Sequence, residues 1–139
     1  MKRMMISLLL LTGGAVAGAW GAAALGEPDA DSRMIVEVRT YTLRPGVRDD
    51  FVRAFEEEAV PALKALGVRV IGSFVSVENE NTFVWLRGFK NAKDREEKNR
   101  VFYSSEAWRG MAPRIAPLIV QGGIDVKVVT PTPGSAIHG

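Results

Sequence analysis

The chain has 139 residues, a length that suits one domain, and its 18 Lys and Arg nearly balance its 16 Asp and Glu. A net charge of +2, spread along the chain, excludes the basic footprint of a nucleic-acid-binding protein. The absence of Cys excludes disulfides, thiol nucleophiles and Cys-ligated metals. Because the single His, His138, lies in a polar tail, an imidazole base or ligand inside the domain is excluded as well. We expect no metal, no haem and no other cofactor.

The first 25 residues are typical of an export leader. Lys2 and Arg3 precede an apolar core at residues 4–11, and a Gly/Ala-rich stretch follows. The run Ala22-Ala23-Ala24 offers a cleavage site of small residues. This order predicts a signal peptide and an exported protein, either periplasmic or secreted.

Two alternatives to a cleaved signal stay open. Residues 4–25 carry no charge and are long enough to span a bilayer as an uncleaved anchor, the one case in which a membrane is an expected partner. Alternatively, translation starts at Met34 and the protein is cytoplasmic. Behind a signal peptide or an anchor, residues 26–33 are predicted to be a linker before the domain.

The domain begins with a strand and a helix. Residues 34–44 alternate and are rich in β-branched and aromatic side chains, which predicts a strand ended by the Pro-Gly pair at 45–46. Residues 47–66 predict a helix that is kinked at Pro61 and ended by Gly67. Its apolar stripe consists of Phe51, Phe55, Leu63 and Leu66.

Two more strands and a second helix follow. Residues 68–78 and 82–89 predict strands joined at hairpin length. Asn91, with Asp94 three residues on, predicts the cap of the second helix. The charged run at residues 93–100 indicates a solvated helix face.

The last part of the chain predicts a further helix, a strand and a tail. Ser104 or Ser105 can cap the helix, and Gly122-Gly123 is expected to break the chain after it. Residues 124–129 predict the final strand. The domain is expected to end at residue 131, and residues 132–139 are predicted to be a disordered tail. The apolar stripe of this helix consists of Trp108, Met111, Ile115 and Leu118.

The order β-α-β-β-α-β predicts an α+β fold of the ferredoxin-like kind, a four-stranded antiparallel sheet with both helices on one face. The small aliphatic side chains of the first and third strands suit packing under the helices. The uncovered face would then carry large amphipathic groups, a patch that a monomer rarely exposes. Pairing with an identical sheet would bury it, so we expect a homodimer with a closed, lined α+β barrel. The patch consists of Glu37, Arg39, Tyr41, Phe83, Trp85 and Arg87.

Several of these segments resemble one known family. The opening MIVEVRTYTLRPG at residues 34–46 is similar to the start of NIPSNAP domains. The SEAWR segment at 105–109 and the closing strand at 125–131 are similar as well, and the resemblance covers residues 34–131. It implies a dimeric α+β barrel, the architecture of small cofactor-free monooxygenases and related proteins.

The predicted site depends on two arginines. Arg39 and Arg87 could bind a carboxylate, enolate or phenolate, because a guanidinium is always charged and holds planar anions well. An internal salt bridge with Glu37 is the favoured alternative, since buried charges usually occur in pairs. Tyr41 and Tyr103 could each donate a hydrogen bond to a ligand oxygen, or simply pack.

Three functions remain open from the sequence. The first is binding of an apolar or aromatic small molecule with an anionic or carbonyl oxygen. The second is a cofactor-independent monooxygenase or isomerase, with Glu37 as a base whose pKa is raised by burial and with Arg39 or Arg87 holding the anion. The third is an interaction module whose barrel is filled by its own side chains. The predicted ligand-binding residues are Arg39, Tyr41, Phe83, Trp85 and Arg87.

Overall fold

The computed structural model describes residues 30–139. The predicted signal peptide or anchor at residues 1–25, and the linker up to residue 29, lie outside the described residues. A short 3-10 turn at Ala30–Ser32 precedes the domain. In the described part of the chain, no helix is both long and apolar enough to cross a membrane.

The described chain folds as β-α-β-β-α-β, and the predicted α+β class is confirmed. Four antiparallel strands lie in the order β2-β3-β1-β4. Each helical region is divided into shorter segments. The elements are β1 (Ile35–Leu43), α1 (Arg48–Ala54), a π turn (Phe55–Ala59), α2 (Val60–Ala65), β2 (Arg69–Val75), β3 (Thr82–Phe89), α3 (Ala92–Tyr103), α4 (Glu106–Ile115), a 3-10 turn (Ala116–Leu118) and β4 (Ile119–Val129).

The sheet face that the helices cover is the opposite of the predicted one. Arg39 pairs with Trp85, and Glu37 pairs with Arg87, across β1 and β3, so these side chains share a face. That face is buried and packs against Phe51, Phe55 and other helix side chains. The prediction that large amphipathic groups stay uncovered was wrong, because the helices themselves supply polar partners for them.

The other face of the sheet carries the small aliphatic side chains. Val38 pairs with Leu86, and Thr40 with Val84, and all four are half-buried. On β2, Phe74 pairs with Val84 and is 55% exposed. This face, which we call the open face, lies away from the core that the described helices build against the sheet.

The helix caps follow the sequence. The Asn91 side chain accepts a hydrogen bond from the Asp94 backbone N–H at 2.8 Å, which starts α3. Ser105 Oγ accepts from the Trp108 N–H at 3.1 Å and starts α4. Pro61 lies in the first turn of α2, directly after the π turn and inside a continuous run of helical backbone.

Two strand boundaries differ from the prediction by more than one residue. β2 ends at Val75, three residues early, because Ser76 Oγ accepts the backbone N–H groups of Glu78 and Asn79 and closes a turn. β4 begins at Ile119, five residues early.

The two glycines that were expected to break the chain lie inside β4. They form a bulge at which the pairing with β1 shifts between Tyr41 and Leu43. Gly122 has a φ of 73°, and a Cβ on Gly123 would lie 2.9 Å from the Thr42 carbonyl oxygen. Glycine is needed for this irregularity, and the strand continues through it.

The C-terminal tail, predicted to be disordered, carries no helix or strand but contacts the domain. Arg69 Nη1 donates a hydrogen bond to the His138 carbonyl. Gly139 lies against the side chain of Met34.

Candidate functional site

A cavity of about 470 Å³ lies within the chain, between the covered face of the sheet and the helices. Aromatic and aliphatic side chains from the helices form one wall, among them Phe55, Phe102 and Trp108. The β4 bulge forms part of the rim, where Gln121 and Gly122 are exposed. The polar side chains that β1, β3 and α3 contribute to the lining are Arg39, Tyr41, Trp85, Arg87 and Tyr103.

A buried carboxylate holds the arginines at the sheet side of this cavity. Glu37 is fully buried, and its Oε2 accepts from Arg39 Nη1 and from Arg87 Nε, each at 2.7 Å. Its Oε1 accepts from Arg95 Nε at 2.7 Å and from Asn99 Nδ2 at 3.0 Å, both on α3. All of the carboxylate's contacts are thus supplied inside one chain, and the predicted internal salt bridge is confirmed.

The hydrogen bonds fix the charge of Glu37. Burial alone would raise its pKa, but the hydrogen bond and the positive charge of Arg87, together with Asn99 and Arg39, outweigh burial and lower the pKa from 4.5 to about 2. The hypothesis of a general base with a raised pKa is therefore wrong for Glu37. This carboxylate also does not line the cavity, so it serves to position the arginines.

The cluster carries more positive than negative charge. Arg39, Arg87 and Arg95 surround a single carboxylate, and only Arg95 is substantially exposed, with 34% of its side chain accessible. Burial would lower the pKa of Arg39, but interactions with Tyr41, Tyr103 and Glu37 outweigh burial and raise it. Arg39 therefore stays charged at any working pH.

Two buried donors at the cavity have no partner. Arg87 Nη1 and Trp85 Nε1 make no hydrogen bond within the described residues, although both side chains are almost fully buried. The Trp85 ring is close to both guanidinium groups, with the Arg39 Cζ 5.6 Å and the Arg87 Cζ 5.2 Å from its centre. An unsatisfied buried donor is costly, so these two atoms lower the stability of the cluster as it stands.

Each tyrosine is paired with one of the arginines. Arg39 Nε donates to Tyr41 Oη at 2.9 Å, and Arg87 Nη2 donates to Tyr103 Oη at 3.2 Å. Tyr103 is the last residue of α3 and is 41% exposed. The phenol groups thus join the arginine cluster rather than packing as purely apolar rings.

The structure brings together four of the five predicted ligand-binding residues. Arg39, Tyr41, Trp85 and Arg87 line the cavity, but within one chain and under the helices. Phe83 does not line it. Instead the Phe83 ring packs edge-on between Phe51 and Phe55, with ring centres 5.0 Å apart in each case.

Sequence reasoning missed the contribution of α3. Arg95 and Asn99 lie in the charged run that was interpreted as a solvated face, and Phe102 lines the cavity. The sequence signal for this contribution was the spacing of Arg95, Asn99 and Phe102, because residues four and seven positions apart lie on one side of a helix. No group of three or more His, Cys, Asp or Glu side chains that could hold a metal occurs between residues 30 and 139.

The chain matches known proteins over the whole domain. The family model for NIPSNAP matches residues 36–136. The structure of an uncharacterized NIPSNAP-like domain protein from Burkholderia xenovorans is 29% identical, with 76% of this chain and 91% of that chain covered and a TM-score of 0.69. A NIPSNAP family protein of unknown function from Agrobacterium tumefaciens is 27% identical, with 77% and 96% covered and a TM-score of 0.69.

More distant similarity extends to another group of proteins. The structure of a putative antibiotic biosynthesis monooxygenase from Bordetella bronchiseptica is 14% identical, with 72% of this chain and 98% of that chain covered and a TM-score of 0.59. At that identity the likeness shows the fold alone. A comparison with curated proteins found no match. Since the family model spans nearly the whole described domain, the chain belongs to the NIPSNAP family.

Proposed function

We propose that this domain binds a small molecule in the cavity between its sheet and its helices, and that the molecule joins an apolar or aromatic body to an anionic or carbonyl oxygen. The cavity of about 470 Å³ is within the size range of small-molecule sites. Its helix wall is aromatic and aliphatic, which suits the body of such a ligand.

The excess of buried positive charge carries the proposal. Three guanidinium groups share the single carboxylate of Glu37, and two of them, Arg39 and Arg87, line the cavity. A buried charge without a counterion is costly, and Arg87 retains a nitrogen with no partner. An anionic oxygen in the cavity would supply a second counterion for the two guanidinium groups that line it.

The two other functions have less support. The enzyme hypothesis loses Glu37, its candidate base, since the pKa of that carboxylate is lowered and the group does not line the cavity. The hypothesis of an interaction module filled by its own side chains is disfavoured by the empty volume under the helices.

A direct test compares ligands with one body and three head groups. We expect naphthoate to bind about tenfold more tightly than naphthalene carboxamide, because a charge-assisted hydrogen bond replaces a neutral one. Naphthylmethylammonium should bind more weakly still. Titration calorimetry measures all three affinities. Equal affinities, or no binding of any of the three, would contradict the proposal.

A variant with a matched control locates the binding. Arg39→Gln removes a cavity cation but leaves Arg87, Arg95 and Asn99 on Glu37, so the fold should survive. It should weaken the preference for naphthoate, since Arg87 is then the one cation left among the described residues of the lining. Arg100→Gln, which removes an exposed arginine paired with Glu97, should leave that preference intact. Native mass spectrometry of the protein purified from its own host would identify a retained ligand.

We also propose a homodimer that pairs the open faces of two sheets. The half-buried Val38, Val84 and Leu86 and the exposed Phe74 form an apolar surface there. The side of an antiparallel sheet that its helices do not cover faces either solvent or another surface. An apolar side favours burial against another surface. Sedimentation of the purified domain measures the stoichiometry, and a monomer at micromolar concentration would contradict this proposal.

Export is proposed on the leader alone. Expression of the full chain in its own host, followed by fractionation and intact-mass measurement, tests it. A periplasmic or secreted product that has lost about the first 25 residues supports a cleaved signal. A full-length product in the membrane fraction supports the anchor, and a cytoplasmic product that starts at Met34 contradicts export.

A further inference from the structure

The polar side chains that line the cavity share one chemical property. Arg39, Arg87, Tyr41, Tyr103 and Trp85 can all donate a hydrogen bond to a ligand, and the exposed Gln121 at the rim is the single side chain in the lining that combines an amide donor with a carbonyl acceptor. Arginine and tryptophan have no acceptor atom at all. A ligand inside this cavity therefore meets donors and almost no side-chain acceptors.

The hydroxyl protons of the two tyrosines are available to a ligand. The Oη of Tyr41 accepts from Arg39 Nε, and that of Tyr103 accepts from Arg87 Nη2. Within the described residues neither hydroxyl donates to a protein acceptor in return. Because each oxygen is engaged as an acceptor by a cation, its own proton is polarised and free to bind an oxygen in the cavity.

The side-on fork of each arginine, formed by Nε and one Nη, is blocked because the single Nε proton already binds the protein. Arg39 uses Nε for Tyr41 and Nη1 for Glu37, while Arg87 uses Nε for Glu37 and Nη2 for Tyr103. One nitrogen of each guanidinium, Nη2 of Arg39 and Nη1 of Arg87, has no hydrogen bond to the protein. A carboxylate is held best by two parallel bonds from one guanidinium, and the end-on pair of Nη groups is what remains for it here. A single charged oxygen can instead accept from separate donors.

No side chain in the lining can take a proton from a ligand at neutral pH. The lining residues of α1, the π turn, α2, α4, the following 3-10 turn and β4 carry no titratable group. The charged and titratable groups that face the cavity come from β1, β3 and α3, with Glu37 and Arg95 behind them. Glu37 is already ionised and hydrogen-bonded to four donors.

From these contacts we propose that the cavity selects phenols and enols in their ionised form. A neutral hydroxyl would bring a proton into a site with almost no side-chain acceptor, whereas the same oxygen as an anion accepts from the arginines and from the tyrosine hydroxyls. When a neutral phenol binds, its O–H bond breaks, the electron pair stays on the oxygen and the proton passes to solvent. The flat aromatic walls suit the ring over which the charge is delocalised. This inference rests on the proposed binding function.

Para-nitrophenol tests the selection directly, because its phenolate absorbs visible light and its phenol does not. We expect the titration midpoint of the bound probe to lie at least about one pH unit below that of the free probe, equivalent to a tenfold preference for the anion. Binding below the free midpoint should also release a proton, which a weakly buffered titration measures. An unshifted or raised midpoint overturns the inference.

Two further measurements test the geometry. Para-nitrobenzoate, an anion of similar shape, should bind more weakly than para-nitrophenolate, and tighter binding of the benzoate would overturn the preference for a single oxygen. Tyr103→Phe keeps the ring and removes one donor, so it should weaken phenolate binding about fivefold. It should also move the bound midpoint back towards the free one, while Arg100→Gln should change neither.

The outcomes separate this inference from the function on which it rests. If neither naphthoate nor para-nitrophenol binds, both are contradicted. If naphthoate binds with the expected preference over its amide and bound para-nitrophenol titrates like the free probe, the binding function stands and the selection of ionised phenols is overturned.

Discussion

The two faces of the sheet differ in a way that reverses the usual relation between polarity and burial. Along β3, Arg87 and Trp85 point under the helices and are almost fully buried, while Val84 and Leu86 point to the open face and are half-buried. The charged face is covered because α3 brings Arg95 and Asn99 to the Glu37 carboxylate. The comparison teaches that the covered face of this sheet combines a large aromatic surface, which packs on the helices, with charges that have complementary partners on α3.

The largest expected effect is on the covered face, at Glu37. Glu37→Gln removes the only carboxylate among three guanidinium groups and should cost about 3–5 kcal/mol in the free energy of unfolding, the usual result of breaking a buried ion pair. Urea unfolding measures it. The control is Glu97→Gln, whose exposed partner is Arg100 and which should cost less than about 1 kcal/mol. Similar losses for both variants would show that burial adds nothing to the Glu37 cluster.

The second-largest effect is a loss of folding stability in acid, as Glu37 on the covered face is protonated. The pKa of Glu37 is about 2 in the folded state, against 4.5 ordinarily, so the folded state binds fewer protons in this window. The stabilisation is complete above pH 4.5 and is lost as the pH falls through about 2. The difference corresponds to about 3 kcal/mol. Urea midpoints measured from pH 6 down to pH 2 test this, and a flat profile between pH 4.5 and pH 2 would contradict it.

A substitution on the open face should change the association of two protomers rather than the stability of each protomer. Leu86→Lys places a charge in the apolar surface, and we expect a monomer in sedimentation experiments with a protomer stability changed by about 1 kcal/mol or less. Val77→Lys, the same kind of change at a fully exposed hairpin position, is the control and should leave the association unchanged. A Leu86→Lys variant that sediments like the parent protein would exclude this face as the interface.

The smallest effects concern backbone geometry at the edge of the covered face. Gly122 has a φ of 73° and no atom within 4 Å of an added Cβ, so Gly122→Ala should cost about 1 kcal/mol through backbone strain alone. Gly110 in α4 also has open space for a Cβ but has no positive φ. Gly110→Ala should therefore stabilise the domain by about 0.5–1 kcal/mol. Thermal unfolding of the two variants tests the opposite signs, and equal signs would contradict the bulge geometry.

Much of the fold could be predicted because its signals are local. The alternation of β3 gave its ends correctly, and Asn91 and Ser105 cap the helices that they precede. The start of β4 could not be predicted in the same way. Gly122-Gly123 is equally consistent with a chain break and with a bulge, and only the partner strand, which shifts register between Tyr41 and Leu43, decides between them.

The residues of the candidate site could be predicted from the sequence, but their position under the helices could not. Alternation correctly placed Arg39, Trp85 and Arg87 on one face of the sheet. Strand periodicity cannot show which of the two faces the helices cover. The covered face holds the contacts of Arg95 and Asn99, whose helical spacing was present in the sequence but whose partner, Glu37, lies about sixty residues earlier in the chain.

The π turn has a consequence for how the long helical region follows the sheet. Its buried side chains, Phe51, Phe55, Ala59 and Leu63, are spaced by four residues each time. In a regular α-helix each step of four overshoots a full turn by about 40°, so the last would point about 120° away from the first. The looser winding at residues 55–59 takes up part of that rotation. Buried side chains that recur every four residues thus indicate a helical region that keeps one side against the sheet. It does so because the π turn has more residues per turn than the α-helical segments beside it.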